Sequence, residues 1–344
     1  MVAQQTQHAR HLIRSFLHSN HSFGFSHFGE RPRRWPGVVF ARVFKFVLIL
    51  SFMGGLSVAQ ASPITGAITE SVMADPTSAT LRVKYQQLND KLEHSVFGEP
   101  LVLDSKTTDG DTRGEVYAVV NVPFARLNET MSDPMHWCQL TILHVNIKAC
   151  TYHDEDRIKL YVGRKFYQTP SQAYAIEYRF QDMANNDHHL NVKLTAPTGP
   201  FGTSDYLLHV EAIPLDEQHS FLYLEYRYHF GFTARMAMKT YLLTIGRNKV
   251  GFTETGVDDN GAPILVQGLQ GVVERNVMRY LYAIQSVLEA SQSKPEYQQT
   301  ARLVRWYALI TRHPKQLYPF SREEYLQEKH KEIANQQALQ VKLQ

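Results

Sequence analysis

The sequence lacks the short motifs that mark common catalytic and nucleotide-binding sites. It contains no G-x-S-x-G, which would place a serine nucleophile, and no P-loop. Two turns rich in His and acidic residues, at 153–156 and 187–189, lack the i, i+4 histidine spacing of a helical zinc site. We therefore expect no metal site and no cofactor, and no residue is assigned a catalytic role.

A surplus of basic residues is also missing from most of the chain. The formal net charge is +3, but seven of the 36 Lys and Arg and one of the 33 Asp and Glu lie in residues 1–61. Beyond residue 61, 29 basic residues therefore stand against 32 acidic ones. Because nucleic-acid binding needs a basic surface to neutralise phosphates, we expect no nucleic-acid partner.

The hydrophobic run near the N-terminus is too short for an ordinary membrane span. It covers residues 46–53, whereas a transmembrane helix needs about 20 apolar residues. Basic residues precede it, and small residues ending in Ala59-Gln60-Ala61 follow it, which is the order of a secretory signal peptide. We predict cleavage near Ala61 and a periplasmic or secreted protein; the alternative is a membrane anchor.

Cysteine is scarce, since Cys138 and Cys150 are the two in the chain. In an exported protein an even number of cysteines indicates a disulfide. Closing a loop of this size would stabilise the fold by about 3 kcal/mol on the chain-entropy model. The alternative is a pair of buried free thiols, and the absence of a second pair argues against a metal site.

Alternation of apolar and polar residues is abundant after residue 98. It predicts half-buried strands, one side of which faces a core. The predicted strands cover residues 101–103, 115–122, 145–150, 158–162, 174–180, 206–211, 222–230 and 238–245, the last with an extension through 249–253. Turn residues separate them, and short successive strands of this kind predict an antiparallel meander.

Helical periodicity marks the segments around these strands. Residues 270–290 carry one wide apolar stripe formed by Val273, Val277, Tyr280, Leu281, Ile284 and Leu288. Further helices are predicted after Asp75-Pro76, Pro123, Asp133-Pro134, Ser293 and Ser321, the last two from capping boxes. The final helix consists mostly of Gln, Lys and Glu, so we expect it to bury little and to fray.

The order of these elements resembles that of the START-like superfamily, the helix-grip fold that includes polyketide cyclase-like proteins. Three stretches carry the resemblance: a strand running into a proline-started helix at 114–124, Asp133-Pro134-Met135-His136-Trp137, and the long helix at 271–290. It covers residues 98–290. It implies an α+β fold, with a curved antiparallel sheet wrapped around a long C-terminal helix and a cavity between them for lipids, sterols or aromatic polyketides.

The remaining segments complete the predicted domain organisation. Residues 1–61 form an N-terminal extension with the signal peptide, and residues 62–97 form a flexible segment with one helix. The START-like domain at 98–290 is then followed by a helical extension at 291–344.

Tyrosines dominate the strand face that we predict to point inward. The predicted ligand-binding residues are Tyr174, Tyr178, Tyr206, Tyr226, Tyr228, Tyr280, Arg275 and Asn276. An apolar wall with a few hydroxyls suits an amphiphilic or aromatic ligand, and the arginine or asparagine would hold a head group at the cavity mouth. The alternatives are a core filled by the rings, and an exposed, solvated position for residues 274–276. His209 and His229 are expected on the solvated outer face.

The predicted function is binding or carriage of a lipid or another hydrophobic small molecule by an exported, soluble protein. Transient membrane contact is compatible with that role. One alternative is a cyclase- or hydrolase-type enzyme that uses the same cavity. The other is a non-catalytic periplasmic interaction module whose flanking helices dock on a protein partner, which the sequence does not identify.

Overall fold

Eight antiparallel strands form one sheet at the centre of the structure, a computed structural model that describes residues 78–232, 234–236 and 249–343. The order across the sheet is β1-β2-β8-β7-β6-β5-β4-β3, so β3 to β8 form a continuous meander with β1 and β2 added beside β8. The strands are β1 (Leu101–Thr107), β2 (Asp111–Val120), β3 (Ile147–His153), β4 (Arg157–Val162), β5 (Tyr174–Asn186), β6 (His189–Thr198), β7 (Thr203–Pro214) and β8 (Ser220–Phe230).

Seven α-helices whose full extents are described and a small hairpin surround this sheet, and residues 232 and 234–236 are also helical. The helices are α1 (Ser78–Glu93), α2 (Phe124–Met131), α3 (Pro134–Thr141), α4 (Gly268–Ala290), α5 (Pro295–Ile310), α6 (Pro314–Leu317) and α7 (Arg322–Val341). The hairpin pairs β9 (Glu254–Val257) with β10 (Pro263–Leu265). None of these helices has both the length and the apolar content that crossing a bilayer requires.

The long helix α4 packs against the inner face of β1, β2 and β8. At Gly114 the strand and helix lie so close that a Cβ atom would be 3.1 Å from Val277 Cγ1. All six residues of the predicted apolar stripe are buried. Because α3 and α5 pack on α4 as well, most of its remaining residues are buried too. The predicted α+β arrangement of a sheet around a long C-terminal helix is confirmed.

The outer face of the sheet is covered in part by α1. Leu81, Leu88 and Leu92 lie on one side of this helix and are buried. They share an apolar cluster with Phe221 and Tyr223 of β8. The sheet is therefore packed on both faces, which explains why outward residues of β7 and β8 are also buried.

Several predicted elements differ from the structure. Strand β6 was missed, although Leu190, Val192 and Leu194 alternate along it. Residues 249–253 are not a strand, so the predicted extension of the last strand was wrong. Three predictions lie outside the described residues: the strand at 238–245, the signal peptide and the helix start at Asp75-Pro76. The helix after Ser293 begins as predicted, but its N-cap is Lys294 and has no side-chain cap bond.

The C-terminal helix α7 binds the exposed edge of the sheet. Strand β3 is the outermost strand on that side, so its outward backbone groups have no strand partner. The Cys150 amide donates to Gln336 Oε1 at 2.8 Å. The Tyr152 amide donates to Gln340 Oε1 at 3.0 Å, and Gln340 Nε2 donates to the Tyr152 carbonyl at 2.8 Å. Glutamine side chains thus protect an edge that would otherwise invite pairing with another chain.

A buried charge triad fixes α7 to the loop before β3. Glu332 accepts from Lys148 Nζ at 2.7 Å and from Lys329 Nζ at 2.6 Å, and all three side chains are buried. The two ammonium groups also donate to backbone carbonyls, Lys148 to Val145 and Lys329 to His144. The expectation that this helix buries little was wrong, because its polar residues bond to the sheet edge instead of to water.

The two cysteines form a disulfide between α3 and β3. Cys138 and Cys150 have their Cα atoms 5.1 Å apart, and both residues are buried. The predicted disulfide is confirmed, and the alternative of two free thiols is wrong. This bond joins α3 to the same strand, β3, whose edge α7 protects.

Candidate functional site

Five tyrosines form a continuous cluster between the sheet and α4. Tyr178 lies on β5, Tyr206 on β7, Tyr226 and Tyr228 on β8, and Tyr280 on α4. The Tyr206 and Tyr228 rings stack at 5.3 Å, and the Tyr226 and Tyr280 rings meet at 5.4 Å. The structure therefore brings together five of the six predicted tyrosines, because alternation places their strand positions on one face.

The tyrosines of this cluster are buried as residues, and their hydroxyl groups stay protonated. Burial raises the pKa of Tyr206 to about 12, and it raises the pKa values of Tyr178, Tyr226, Tyr228 and Tyr280 as well. The Tyr206 hydroxyl pairs with Thr203 Oγ1 at 2.7 Å. Among the described residues, the other four hydroxyls have no hydrogen-bond partner.

The cluster retains contact with accessible space. Each of the five tyrosines keeps 5–8% of its surface exposed, although the sheet and α4 enclose it. Leu222 and Leu224, on the same face of β8, are fully enclosed at 0%. The rings therefore border a space that the neighbouring leucines do not reach.

Tyr174 lies apart from this cluster. It is the first residue of β5, paired with Val162 of β4, and 45% of its surface is exposed. Its position shares the inward face of Tyr178, but the strand begins there and nothing described covers the ring. Tyr174 is close enough to affect the pKa of Tyr206 electrostatically, so it lies at the rim.

Glu274 and Arg275, near the start of α4, are both buried. Glu274 Oε2 accepts from the amides of Phe252 and Thr253 at 2.5 and 3.1 Å, and its Oε1 accepts from the Ser105 hydroxyl at 2.5 Å. Arg275 Nη1 donates to the Val250 carbonyl at 2.9 Å. The alternative of an exposed, solvated position was wrong for these two residues, because the segment 250–253 crosses directly over them.

That crossing depends on a glycine. A Cβ atom at Gly251 would collide with the Glu274 carboxylate and would approach Gly271 Cα to 2.9 Å. Two glycines at this point therefore let the segment lie against α4, which holds Arg275 in place. Arg275 also lowers the pKa of Tyr228 against the effect of burial, so this cation lies within electrostatic reach of the tyrosine cluster.

His144, which lies beside the cluster, was not predicted as a site residue. Its ring stacks on Tyr280 with centroids 5.4 Å apart, and it is buried in the loop between α3 and β3. Nδ1 accepts from the Asn146 amide at 3.1 Å, which leaves the proton of the neutral ring on Nε2. Nε2 is buried and makes no hydrogen bond of normal geometry with the described residues.

The charge state of His144 follows from its surroundings. Burial, and then the cations Arg279 and Lys329, hold the pKa of His144 well below its usual value. The predicted site residue Asn276 approaches the ring and raises that pKa in part. His144 is therefore neutral at pH 7 and presents an N–H donor next to Tyr280. A loop residue carries no periodic pattern, so sequence reasoning had no signal with which to find it.

Cationic side chains lie near Arg275 and Arg279 of α4. Burial, Arg279 and Arg275 lower the pKa of Lys249 to about 8. Burial, Lys249 and Arg279 also lower the pKa of Lys165. Lys249 is thus within electrostatic reach of Arg275, Arg279 and Lys165, while Glu324 and Glu328 raise the pKa of Lys165 and offset part of this positive charge.

The opposite face of the sheet carries a buried polar cluster. His209 Nε2 lies 3.2 Å from Glu211 Oε1, and His189 Nε2 lies 3.1 Å from Glu211 Oε2. Both His209 and His229 occupy the outer face as predicted. His209 is buried, however, so the expected solvation was wrong for that residue; His229 remains partly exposed and contacts Asp111 at 3.2 Å. Within the described ranges, no group of three or more His, Cys, Asp or Glu side chains has an arrangement that would hold a metal ion.

No protein-family model and no curated protein matches the chain. Solved structures are similar over part of it. A norcoclaurine synthase from Thalictrum flavum, in complex with dopamine and hydroxybenzaldehyde, has 12% identity and a TM-score of 0.29, covering 43% of this chain and 80% of its own. A START superfamily protein from Mycobacterium smegmatis has 15% identity and a TM-score of 0.26, covering 40% and 90%.

A conserved protein of unknown function from Enterococcus faecalis has 9% identity and a TM-score of 0.31, covering 64% of this chain and 97% of its own. At these identities and TM-scores, the similarities assign no function to the chain. Its own strand order, with the long helix held against the inner face, is that of the START-like helix-grip fold.

Proposed function

We propose that this chain binds an amphiphilic small molecule non-covalently between its sheet and α4, and that the molecule is a lipid. Four phenol hydroxyls of the enclosed cluster, without hydrogen-bond partners among the described residues, carry this proposal. The cluster keeps contact with accessible space, so these hydroxyls remain free to donate to a ligand, and each such hydrogen bond contributes about 0.5–1.5 kcal/mol. A ligand with oxygen acceptors would satisfy these donors while its apolar part packs on the rings.

The charge next to the cluster favours an anionic ligand. Arg275 lies within electrostatic reach of Tyr228, and Arg279 and Arg275 both lower the pKa of Lys249. The neutral His144 adds an N–H donor beside Tyr280. Rings for an apolar chain, together with cations and donors at one end, suit the carboxylate of a fatty acid.

The same proposal includes export. Its support is the order of basic, apolar and small residues before Ala61. The disulfide between Cys138 and Cys150 is compatible with it, because such bonds persist in oxidising compartments. Mass spectrometry of the chain recovered from a bacterial periplasm would test this part alone, since an N-terminus upstream of residue 61 would contradict cleavage there.

The binding test begins with the purified full chain. We expect its organic extract to contain lipid by mass spectrometry, and we expect the stripped protein to take up a fluorescent fatty acid. Tyr226→Phe and Tyr280→Phe each remove one donor, which at about 0.5–1.5 kcal/mol corresponds to roughly two- to tenfold weaker binding.

The matched control is Tyr117→Phe, because Tyr117 lies on β2 and packs with Phe221 and Tyr223 on the outer face. It removes the same hydroxyl from the opposite side of the sheet and should leave uptake unchanged. Absence of both extracted lipid and uptake would overturn the proposal, as would equal effects of the inner and outer substitutions.

An enzyme that uses the same space is the second candidate, because His144 is an inward titratable group. Its Nδ1 lone pair already accepts from Asn146, and its Nε2 carries the proton, so in this state it donates and does not act as a base. Binding is therefore the better-supported function. Chemical conversion of the extracted ligand by the full chain, lost in His144→Phe, would favour the enzyme instead.

A further inference from the structure

A pocket lies where α3, β3, α5 and α7 meet. Its volume is about 180 Å³, and the disulfide forms part of its floor together with apolar residues such as Ile142. None of the five clustered tyrosines lines it. It is therefore separate from the space beside α4.

The polar residues that line this pocket carry one positive charge and no negative charge. Five glutamines and one cation, Arg302 of α5, lie around it, and no Asp or Glu does. Arg302 Nη1 donates to Gln139 Oε1, a neutral partner. Burial lowers the pKa of Arg302, with no carboxylate opposing the shift.

Comparison with a neighbouring arginine shows that Arg302 has no carboxylate partner among the described residues. Arg305, three residues later on α5, forms an ion pair with the carboxylate of Glu289. The buried lysines of α7 and β3 share Glu332. Arg302 is half-buried and has five N–H donors; among the described residues it bonds to one amide oxygen, so its other donors are open to water or to a ligand.

Two of the glutamines are also available to a ligand. Gln336 and Gln340 are occupied by the edge of β3. The carboxamides of Gln299 and Gln337 have no hydrogen-bond partner in the described residues. They supply neutral donors around a single positive charge, which matches one carboxylate better than a multiply charged phosphate.

We propose that this pocket binds a small monocarboxylate, with the carboxylate on Arg302 and an apolar or aromatic body over the disulfide and Ile142. Pockets for drug-sized ligands measure roughly 300–1,000 Å³. At about 180 Å³ this one suits a compact acid the size of benzoate and excludes a long acyl chain.

The test uses a reporter inside the pocket. Met135 lines it, and its ¹³C-labelled methyl resonance in the full chain is identified by its loss in Met135→Leu. We expect benzoate to shift this resonance in a saturable way, and neutral benzamide to shift it at least tenfold more weakly. Equal responses to the two compounds, or no response to benzoate, would overturn the proposal.

Two arginine variants make the assignment specific. Arg302→Gln should weaken benzoate binding at least tenfold at the Met135 methyl, and Arg302→Lys should restore part of it. The control Arg305→Gln removes an equal charge from the next turn of α5 and should leave the affinity unchanged. Equal loss in Arg302→Gln and Arg305→Gln would mean that general charge, and not a guanidinium site, attracts the acid.

Discussion

Replacing Glu332 by glutamine tests whether the buried triad is a principal attachment of α7. The change removes one negative charge between two buried ammonium groups, Lys148 and Lys329, and keeps the shape of the side chain. Each hydrogen bond to a charged group contributes roughly 1.5–3 kcal/mol, and Glu332 accepts two. Breaking a buried pair by removing one partner costs about 3–5 kcal/mol, so we expect Glu332→Gln to lower the free energy of unfolding by that amount.

The pH dependence adds a second check on the same variant. Burial lowers the pKa of Lys329 to about 8, below its value of about 10.5 in an unfolded chain, so the unfolded state binds more protons between these values and stability rises with pH there. Without Glu332 the pKa values of both lysines fall further. Their deprotonation then begins at a lower pH, and the destabilisation should shrink between pH 7 and pH 9.5.

Urea denaturation of the full chain at both pH values measures these effects. The matched control is Glu177→Gln, which breaks the exposed pair between Arg157 and Glu177 at 2.6 Å; exposed pairs contribute about 0–1 kcal/mol. A loss below 1 kcal/mol in Glu332→Gln, or a difference from wild type that widens with pH, would refute the reasoning.

Three further predictions concern the site and the disulfide. Binding of a fluorescent fatty acid should weaken up to about tenfold from pH 7 to pH 9, because Lys249, with a pKa of about 8, loses its charge in that range; Lys249→Arg should abolish this dependence, and a pH-independent wild type would contradict it. His144→Phe keeps the ring on Tyr280 but removes the N–H donor, so fatty-acid affinity should fall roughly fivefold; unchanged affinity would exclude His144 from the site. Replacing Cys138 and Cys150 together by serine should reduce the free energy of unfolding by about 3 kcal/mol, and reductant should then have no further effect.

The sequence predicts most strands and the long helix of this fold, because these elements follow from local periodicity. Alternation along β5, β7 and β8 places Tyr178, Tyr206 and Tyr226 on one face, and the stripe of α4 places Tyr280 opposite them. Strand β6 shows the same alternation, but its His-rich start resembled a turn. The tyrosine cluster was accordingly predictable, apart from the exposure of Tyr174 at a strand end.

Buried polar residues were not predictable, because their partners lie far away along the chain. Lys148 and Glu332 are 184 residues apart, and Ser105 and Glu274 are 169 apart. No local pattern separates a glutamate that meets such a partner from one that faces water. The same holds for His144, whose role depends on Tyr280 of another element.

The attachments of α7 also change how the interaction-module alternative has to be tested. Deleting residues 313–344 would remove Glu332, leave Lys148 buried without a counter-charge, and expose the edge of β3 that Gln336 and Gln340 now occupy. Loss of a partner after such a deletion would therefore follow from unfolding or aggregation of the domain as readily as from loss of a docking surface. Because His144 and the carbonyls that accept from Lys148 and Lys329 belong to the same loop, the deletion would also disturb the proposed lipid site. Single substitutions on the exposed side of α7, such as Lys331→Glu, leave these attachments intact, and they alone separate a partner surface from a structural support.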